Sequence, residues 1–199
     1  VSLTAPNNLG SGHVRVFRWS GSAWVQKGLD IDAEGAGDRF GYSVSMPDSS
    51  TMAIGATRNS GNGNSSGHVR VFKWNGSMWV QKGLDIDGES SGDNSGYDVS
   101  MSDSNTVSVS APYNGSTQGH VRVYSWSGSS WIQKGTDIDG EAAGDFSGWS
   151  ISLADSNTVA IGARSNNGNG SSSGHVRVYK WDGSSWAQKG LDIDGKAAG

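Results

Sequence analysis

The chain has 199 residues, 34% of them hydrophobic, with 31 glycines, nine tryptophans, no cysteine and a net charge of −4. Glycine stands at about twice its usual share of roughly 7%, so many positions serve turns, yet the tryptophans and a recurring apolar alternation supply the burial that disordered Gly/Ser segments lack. Without cysteine there are no disulfides or thiolate nucleophiles; the fifteen scattered Lys and Arg form no basic stripe and no apolar run reaches membrane-span length, so neither nucleic-acid binding nor direct membrane insertion is expected.

In chain order, Val1-Ser2-Leu3-Thr4-Ala5-Pro6 aligns with Val107-Ser108-Val109-Ser110-Ala111-Pro112 and predicts the second strand of a unit whose first strand is missing. Gly12-His13-Val14-Arg15-Val16-Phe17 then opens a phrase that returns at Gly67, Gly119 and Gly174, with its histidines 55, 52 and 55 residues apart. A period of that size marks one stacked supersecondary unit. The second copy shows it whole: Gly41 to Met46 alternates with period two, Pro47-Asp48-Ser49-Ser50 turns the chain, and Thr51 to Ala56 pairs back. A Gly/Asn-rich loop leads to the strand His68 to Trp74, and Asn75-Gly76-Ser77 turns it into the short strand Trp79 to Lys82. No 3.6-residue apolar period persists and glycine interrupts every window, so helices are expected to be nearly absent.

Four antiparallel strands per unit make an all-β protein, and a sheet of about fifty residues cannot bury both its faces alone. Radial packing of such sheets predicts a β-propeller built of four-stranded antiparallel blades, with a β-solenoid as runner-up. The blades fall at about 1–28, 41–83, 97–135 and 148–190 with acidic links between them, the first lacking its first strand. Fifteen strands, one short of four blades, predict a piece of a longer propeller or array, or closure through another copy.

Phe40-Gly41-Tyr42-Ser43-Val44 followed by Ala53-Ile54-Gly55-Ala56-Thr57 resembles the FG-GAP repeat, which builds the seven-bladed propeller at the head of integrin α subunits. The likeness recurs in whole or in part in all four copies. Elsewhere Phe-Gly becomes Ser95-Gly96 and Ser147-Gly148, while Gly-Ala-Pro survives in part as Thr4-Ala5-Pro6 and Ser110-Ala111-Pro112. The phrase from Asp137 to Asp145 is similar to tandem repeats of large surface and secreted proteins of marine microbes and algae. FG-GAP blades that bind calcium carry an Asp-rich loop between their first two strands; here that link holds one carboxylate, Asp48, Asp103 or Asp155, too few for an ion that takes about six to eight oxygens.

The acids cluster instead after the fourth strand. Asp30, Asp32, Glu34 and Asp38 recur as Asp85, Asp87, Glu89 and Asp93, and again as Asp137, Asp139, Glu141 and Asp145, with Asp192 and Asp194 before Lys196. Four carboxylates within nine residues could gather calcium, but the spacing misses the EF-hand loop. The favoured reading is structural, with the acids accepting backbone N–H groups in a tight turn and pairing with the His-x-Arg strand. His13, His68, His120 and His175 share a strand face with Arg15, Arg70, Arg122 and Arg177. A pair repeated in every blade reads as a framework ladder before it reads as an anion or acid–base site. The tryptophan pairs 19/24, 74/79, 126/131 and 181/186 flank the turn between strands three and four, where they pin register and fill the space between blades.

No nucleophile–base–acid set and no phosphate-cradling glycine loop stands out in the sequence, so a non-catalytic module is expected. Antiparallel strands send the 2–3 and 4–1 links to one face. There the segments before each histidine differ between copies, which makes Arg58, Tyr113 and Arg164 the candidate ligand-binding residues, with Asp98, a break in the repeat, as a weaker one. Sequons at Asn64, Asn75, Asn114 and Asn169 in turn segments permit glycosylation. The expected role is an extracellular or cell-surface adhesion or structural module whose partners are extracellular proteins, glycans or further copies of the same repeat. The alternatives are a calcium-dependent lectin or hydrolase-associated propeller, and a subunit of an extracellular filament.

Overall fold

A computed structural model describes residues 2–3 and 10–198. Residues 4–9, which carry Thr4-Ala5-Pro6 and much of the first variable loop, lie outside the described residues. In the second repeat, Phe40–Asp48, Thr51–Ala56, His68–Trp74 and Trp79–Gln81 pair antiparallel in sequence order. Short polar side chains close the turns: Asp48 Oδ1 accepts the Ser50 N–H at 2.6 Å, and Asn75 Oδ1 accepts those of Ser77 and Met78 at 2.9 and 3.0 Å. The third repeat (Val99–Asp103, Thr106–Ala111, His120–Trp126, Trp131–Gln133) and the fourth (Ser147–Asp155, Thr158–Ala163, His175–Trp181, Trp186–Gln188) repeat this order. In the first, Ser2–Leu3 lies against Val14 and Arg15 as the second strand. The protein is all-β, with a single turn at Asn114–Thr117, left-handed at Gly115 and Ser116, as the one departure among the described residues, and its units stack as propeller blades.

One boundary differs from expectation. The acidic phrase, expected wholly in the link, starts inside the blade: Ile86–Asp87 pairs back onto Val69 and His68, beyond the segment covered by Trp79–Gln81. Ile138–Asp139 and Ile193–Asp194 do the same in the next two repeats. The fourth strand is therefore one edge broken in two. Burial explains the second half, since Ile86 and Ile138 are each only 4% exposed.

The core lies between repeats. Met52, Ile54 and Ala56 pack with Val14, Val16 and Ile31 of the repeat before, whereas Ala53, Val69 and Val71 pack with Val99, Met101, Val107 and Val109 of the repeat after. Side chains alternate across a strand, so Thr51–Ala56 is buried at all six positions because a neighbour covers each face. Thr106–Ala111 is likewise buried throughout, while Thr158–Ala163 is buried only at alternate positions. Each large aliphatic side chain buried in such a core contributes about 1.5–3 kcal/mol.

Hydrogen bonds cross the seams near the first strands. Met101 N–H donates to Ser45 Oγ and Leu153 N–H to Ser100 Oγ, both at 2.9 Å, and Ser43 Oγ donates to the Gly96 carbonyl at 2.7 Å. At the outer edge, the Trp79, Trp131 and Trp186 indole N–H groups donate to the Lys27, Lys82 and Lys134 carbonyls of the preceding repeat at 2.8, 2.7 and 2.6 Å. Those lysines lay their ammonium groups over the same tryptophan pairs, 4.9–5.2 Å from the rings at Lys27. The next residue, Gly28, Gly83 or Gly135, is the floor on which the pair rests. Trp19 and Trp24 of the first repeat remain 55% and 68% exposed, and nothing among the described residues lies over Gly190.

Gly83 and Gly190 share a left-handed backbone, φ +82 and +80, but differ in what a Cβ would meet: at Gly83 it would stand 2.6 Å from Trp126, at Gly190 in open space. Both alanine substitutions carry the same backbone penalty, and only Gly83→Ala adds overpacking, which costs about 1–3 kcal/mol. Urea denaturation is expected to show Gly83→Ala less stable than Gly190→Ala by that margin. Equal losses would mean the tryptophan pair does not bear on its neighbour.

Candidate functional site

Arg39 and Phe146, each directly before a first strand, and Asn94, five residues before Val99, adopt a left-handed backbone with φ 57, 54 and 52. Non-glycine residues rarely do so, and strain of this kind gathers at sites where the surroundings hold it. The turn lifts the aromatic three residues on, Tyr42, Tyr97 or Trp149, onto the face where the variable loops emerge. Those loops are tied down by the last acid of the preceding phrase. Asp38, Asp93 and Asp145 accept the amide N–H of Asn59, Asn114 and Asn166 at 3.2, 3.1 and 2.9 Å, and each also accepts a backbone N–H of its own turn.

The result is an aromatic row across three repeats. Tyr42 meets Tyr97 at 5.1 Å between ring centroids, and Tyr97 meets Trp149 at 4.6 Å. Tyr113 packs on Tyr97 and Phe146 at 5.9 and 5.5 Å. Arg164 stacks its guanidinium 3.3 Å above Trp149 and 4.9 Å from Phe146, a cation–π arrangement worth about 0.5–2 kcal/mol. A cleft of about 270 Å³ opens among Arg39, Tyr42, Arg58, Asn94, Tyr97 and Tyr113. A second, of about 380 Å³, runs from Trp149 and Arg164 to His175 and Ile193. Burial, with the Tyr42 hydroxyl beside it, pushes the Tyr97 phenol well up, so it remains an uncharged hydrogen-bonding group at neutral pH.

Arg58, Tyr113 and Arg164 thus share one face, Arg58 and Tyr113 in one cleft and Arg164 at the far end of the row. Sequence reasoning missed Arg39, Tyr42, Asn94, Tyr97, Phe146 and Trp149. Two signals were present: Trp149 is the one tryptophan outside the pairs, and an aromatic follows the first-strand glycine in all three complete copies. Asp98 turns away from this face into the seam, where its two oxygens accept the Val99 and Ile151 N–H groups at 2.9 and 2.8 Å and burial raises its pKa.

The four carboxylates of a link do not gather in one place. Asp93 and Asp145 close the turn and hold the loop. Asp87 and Asp139 sit in the edge pairs with exposed side chains, their carbonyls accepting Arg122 and Arg177 of the next repeat at 2.7 Å. Asp85 and Asp137 stand 3.4 Å from His68 and His120 of their own repeat. Glu89 and Glu141 reach forward to the next repeat, 3.5 and 3.9 Å from Arg122 and Arg177. The His-x-Arg ladder is therefore the strut between blades, as the structural reading expected, and the carboxylates that could have gathered calcium within one link are spread over three surroundings.

Burial, with Arg122 nearby, holds His120 below its ordinary 6.5. Contact with the His68 ring holds Asp85 below 3.8 against the opposing effect of burial. The unfolded chain therefore binds a proton at position 120 more readily than the folded one, so this contribution to stability is present above 6.5 and lost as pH falls through the depressed value. The Asp85 contribution is present above 3.8 and lost at more acid pH. Thermal melts of chelator-treated protein are expected to fall in two stages on acidification, the first beginning near pH 6.5 and absent in His120→Asn. A flat profile from pH 7 to 5 would contradict the buried neutral imidazole.

The family model described as FG-GAP repeat matches residues 30–72 and 132–179. Both matches run from the end of one repeat through the first three strands of the next, so they fall on the same phase of the period. None of the curated proteins compared with the chain matches it. The paired strands, the repeat-to-repeat core and these two matches agree: the chain carries FG-GAP repeats over residues 30–72 and 132–179.

Proposed function

We propose that this is a non-catalytic interaction module of an extracellular or cell-surface protein, with its ligand surface on the aromatic row and flanking arginines of the variable-loop face. One observation carries the reading. Residues that differ between otherwise repetitive copies, Arg39, Arg58, Tyr113, Phe146, Trp149 and Arg164, adjoin one another on a single face. Aromatic rings offer flat apolar platforms with polar tips, and exposed guanidinium groups offer planar donors for carboxylate or sulfate. That chemistry fits an anionic glycan, or an acidic loop of an extracellular protein. FG-GAP repeats as a class suggest an integrin-like extracellular propeller, and no helix among the described residues is long and apolar enough to cross a membrane.

A glycan array containing neutral, uronate-bearing and sulfated members tests the reading. Binding to anionic members is expected, weakened roughly tenfold, or about 1.4 kcal/mol, by Trp149→Ala and by Arg58→Ala, and unaffected by Lys180→Ala elsewhere. Binding that ignores both substitutions would remove this face from the reading.

A second reading, further copies of the repeat as partner, is favoured by the uncovered Trp19 and Trp24 at one end and Gly190, Leu191 and Ile193 at the other. Each is half of the Lys-Gly to Trp-pair seam made three times within the chain. Sedimentation velocity is expected to show concentration-dependent head-to-tail association abolished by Trp19→Ser with Trp24→Ser. A monomer at all concentrations would exclude it.

A further inference from the structure

Three seams repeat an arrangement that the loop-face reading does not use. Glu34, His68 and Asp85, then Glu89, His120 and Asp137, then Glu141, His175 and Asp192 each bring one ligand atom per residue within 4.8 Å of the others. The glutamate comes from one repeat; the histidine and aspartate come from the next. The imidazoles are buried, their side chains 1% exposed at His68 and His175 and 2% at His120. Neither ring nitrogen of His68 or His175 makes a hydrogen bond, nor does Nε2 of His120. Buried polar groups left in that state call for an explanation.

The carboxylates are already oriented. Gln81, Gln133 and Gln188 donate to Oδ1 of Asp85, Asp137 and Asp192 at 2.6, 2.7 and 2.6 Å. That leaves Oδ2 facing Nδ1 of the histidine at 3.4, 3.4 and 3.5 Å. Arg122 and Arg177 stand at Oε1 of Glu89 and Glu141, with Oε2 facing Nδ1 at 3.8 and 3.7 Å and that of Glu141 also accepting the Asn166 amide N–H at 3.2 Å. These gaps exceed the about 2.7–2.9 Å of a charge-assisted hydrogen bond. Bonds of about 2.0–2.2 Å to one tetrahedral ion would set nitrogen and oxygen ligands about 3.4 Å apart. Holding one oxygen of each carboxylate while aiming the other is how residues around a metal position its ligands.

We propose that each of the three seams binds one first-row divalent transition ion of the zinc class through the histidine Nδ1 and one oxygen from each carboxylate, with a fourth position left for water. A nitrogen ligand and only two carboxylates suit zinc and its neighbours, whereas calcium wants about six to eight oxygens. Because its ligands come from two repeats, the ion would fasten one blade to the next.

The chelator-treated 199-residue chain titrated with zinc chloride in a calorimeter is expected to take up three equivalents and to melt at higher temperature. Calcium and magnesium at the same concentrations should neither bind there nor displace zinc. Glu89→Ala changes a half-exposed side chain and Asp137→Asn keeps its bond to Gln133; each should lower the uptake from three to two and remove a third of the tetrahedral cobalt absorption when cobalt replaces zinc. No saturable zinc binding, or three equivalents retained in both variants, would overturn the proposal. Neither result bears on glycan binding by the loop face.

Discussion

A sheet with two apolar faces must be covered twice. Thr51–Ala56 is buried at every position because the repeat before takes Met52 and Ile54 and the repeat after takes Ala53. Burial of this kind drives folding at roughly 25 cal/mol per Å² of apolar surface, and here nearly all of it is recovered at contacts between units. The fold is thus quasi-one-dimensional, its stability a property of neighbours. The seam chemistry is accordingly uniform: the indole-to-carbonyl bond, the lysine over the tryptophan pair and the arginine on the preceding carbonyl recur three times with nearly constant distances.

Uniform seams free the other features to vary. The left-handed residue three positions before each loop-face aromatic can be Arg39, Asn94 or Phe146 because its side chain leaves the core for the loop face. The acid-to-asparagine bond that anchors each loop is kept while the loop itself changes, from residues 57–66 to 112–118 to 164–173. Repetition marks what holds the blades together, and departure from repetition marks the face on which the proposed ligand would rest.

Much of this was legible in the sequence because it is local or periodic. Strand order, turn positions and the tryptophan pairs follow from alternation and spacing, and strand parity alone sent Arg58, Tyr113 and Arg164 to one face. What was not legible depends on contacts between repeats. Trp149 and Phe146 gain meaning only when Tyr113 and Arg164 arrive from the neighbouring loops. Asp98 read as a departure on the surface, whereas it reaches across to Ile151. The acidic phrase read as one cluster because its members adjoin in sequence; in space Asp85 and Glu89 serve different histidines. Ile86–Asp87 read as link because the edge breaks at Lys82-Gly83 before resuming on His68 and Val69.

The claim beneath all of this is that a repeat is held by its neighbours on both sides. Native-state hydrogen exchange measures it directly, residue by residue. The account predicts that the amides of Thr51–Ala56 and Thr106–Ala111 exchange most slowly and together, and that those of Thr158–Ala163, covered on one face among the described residues, exchange measurably faster. Equal protection of the second strand in the second, third and fourth repeats would show that each sheet is stable on its own, and would contradict it.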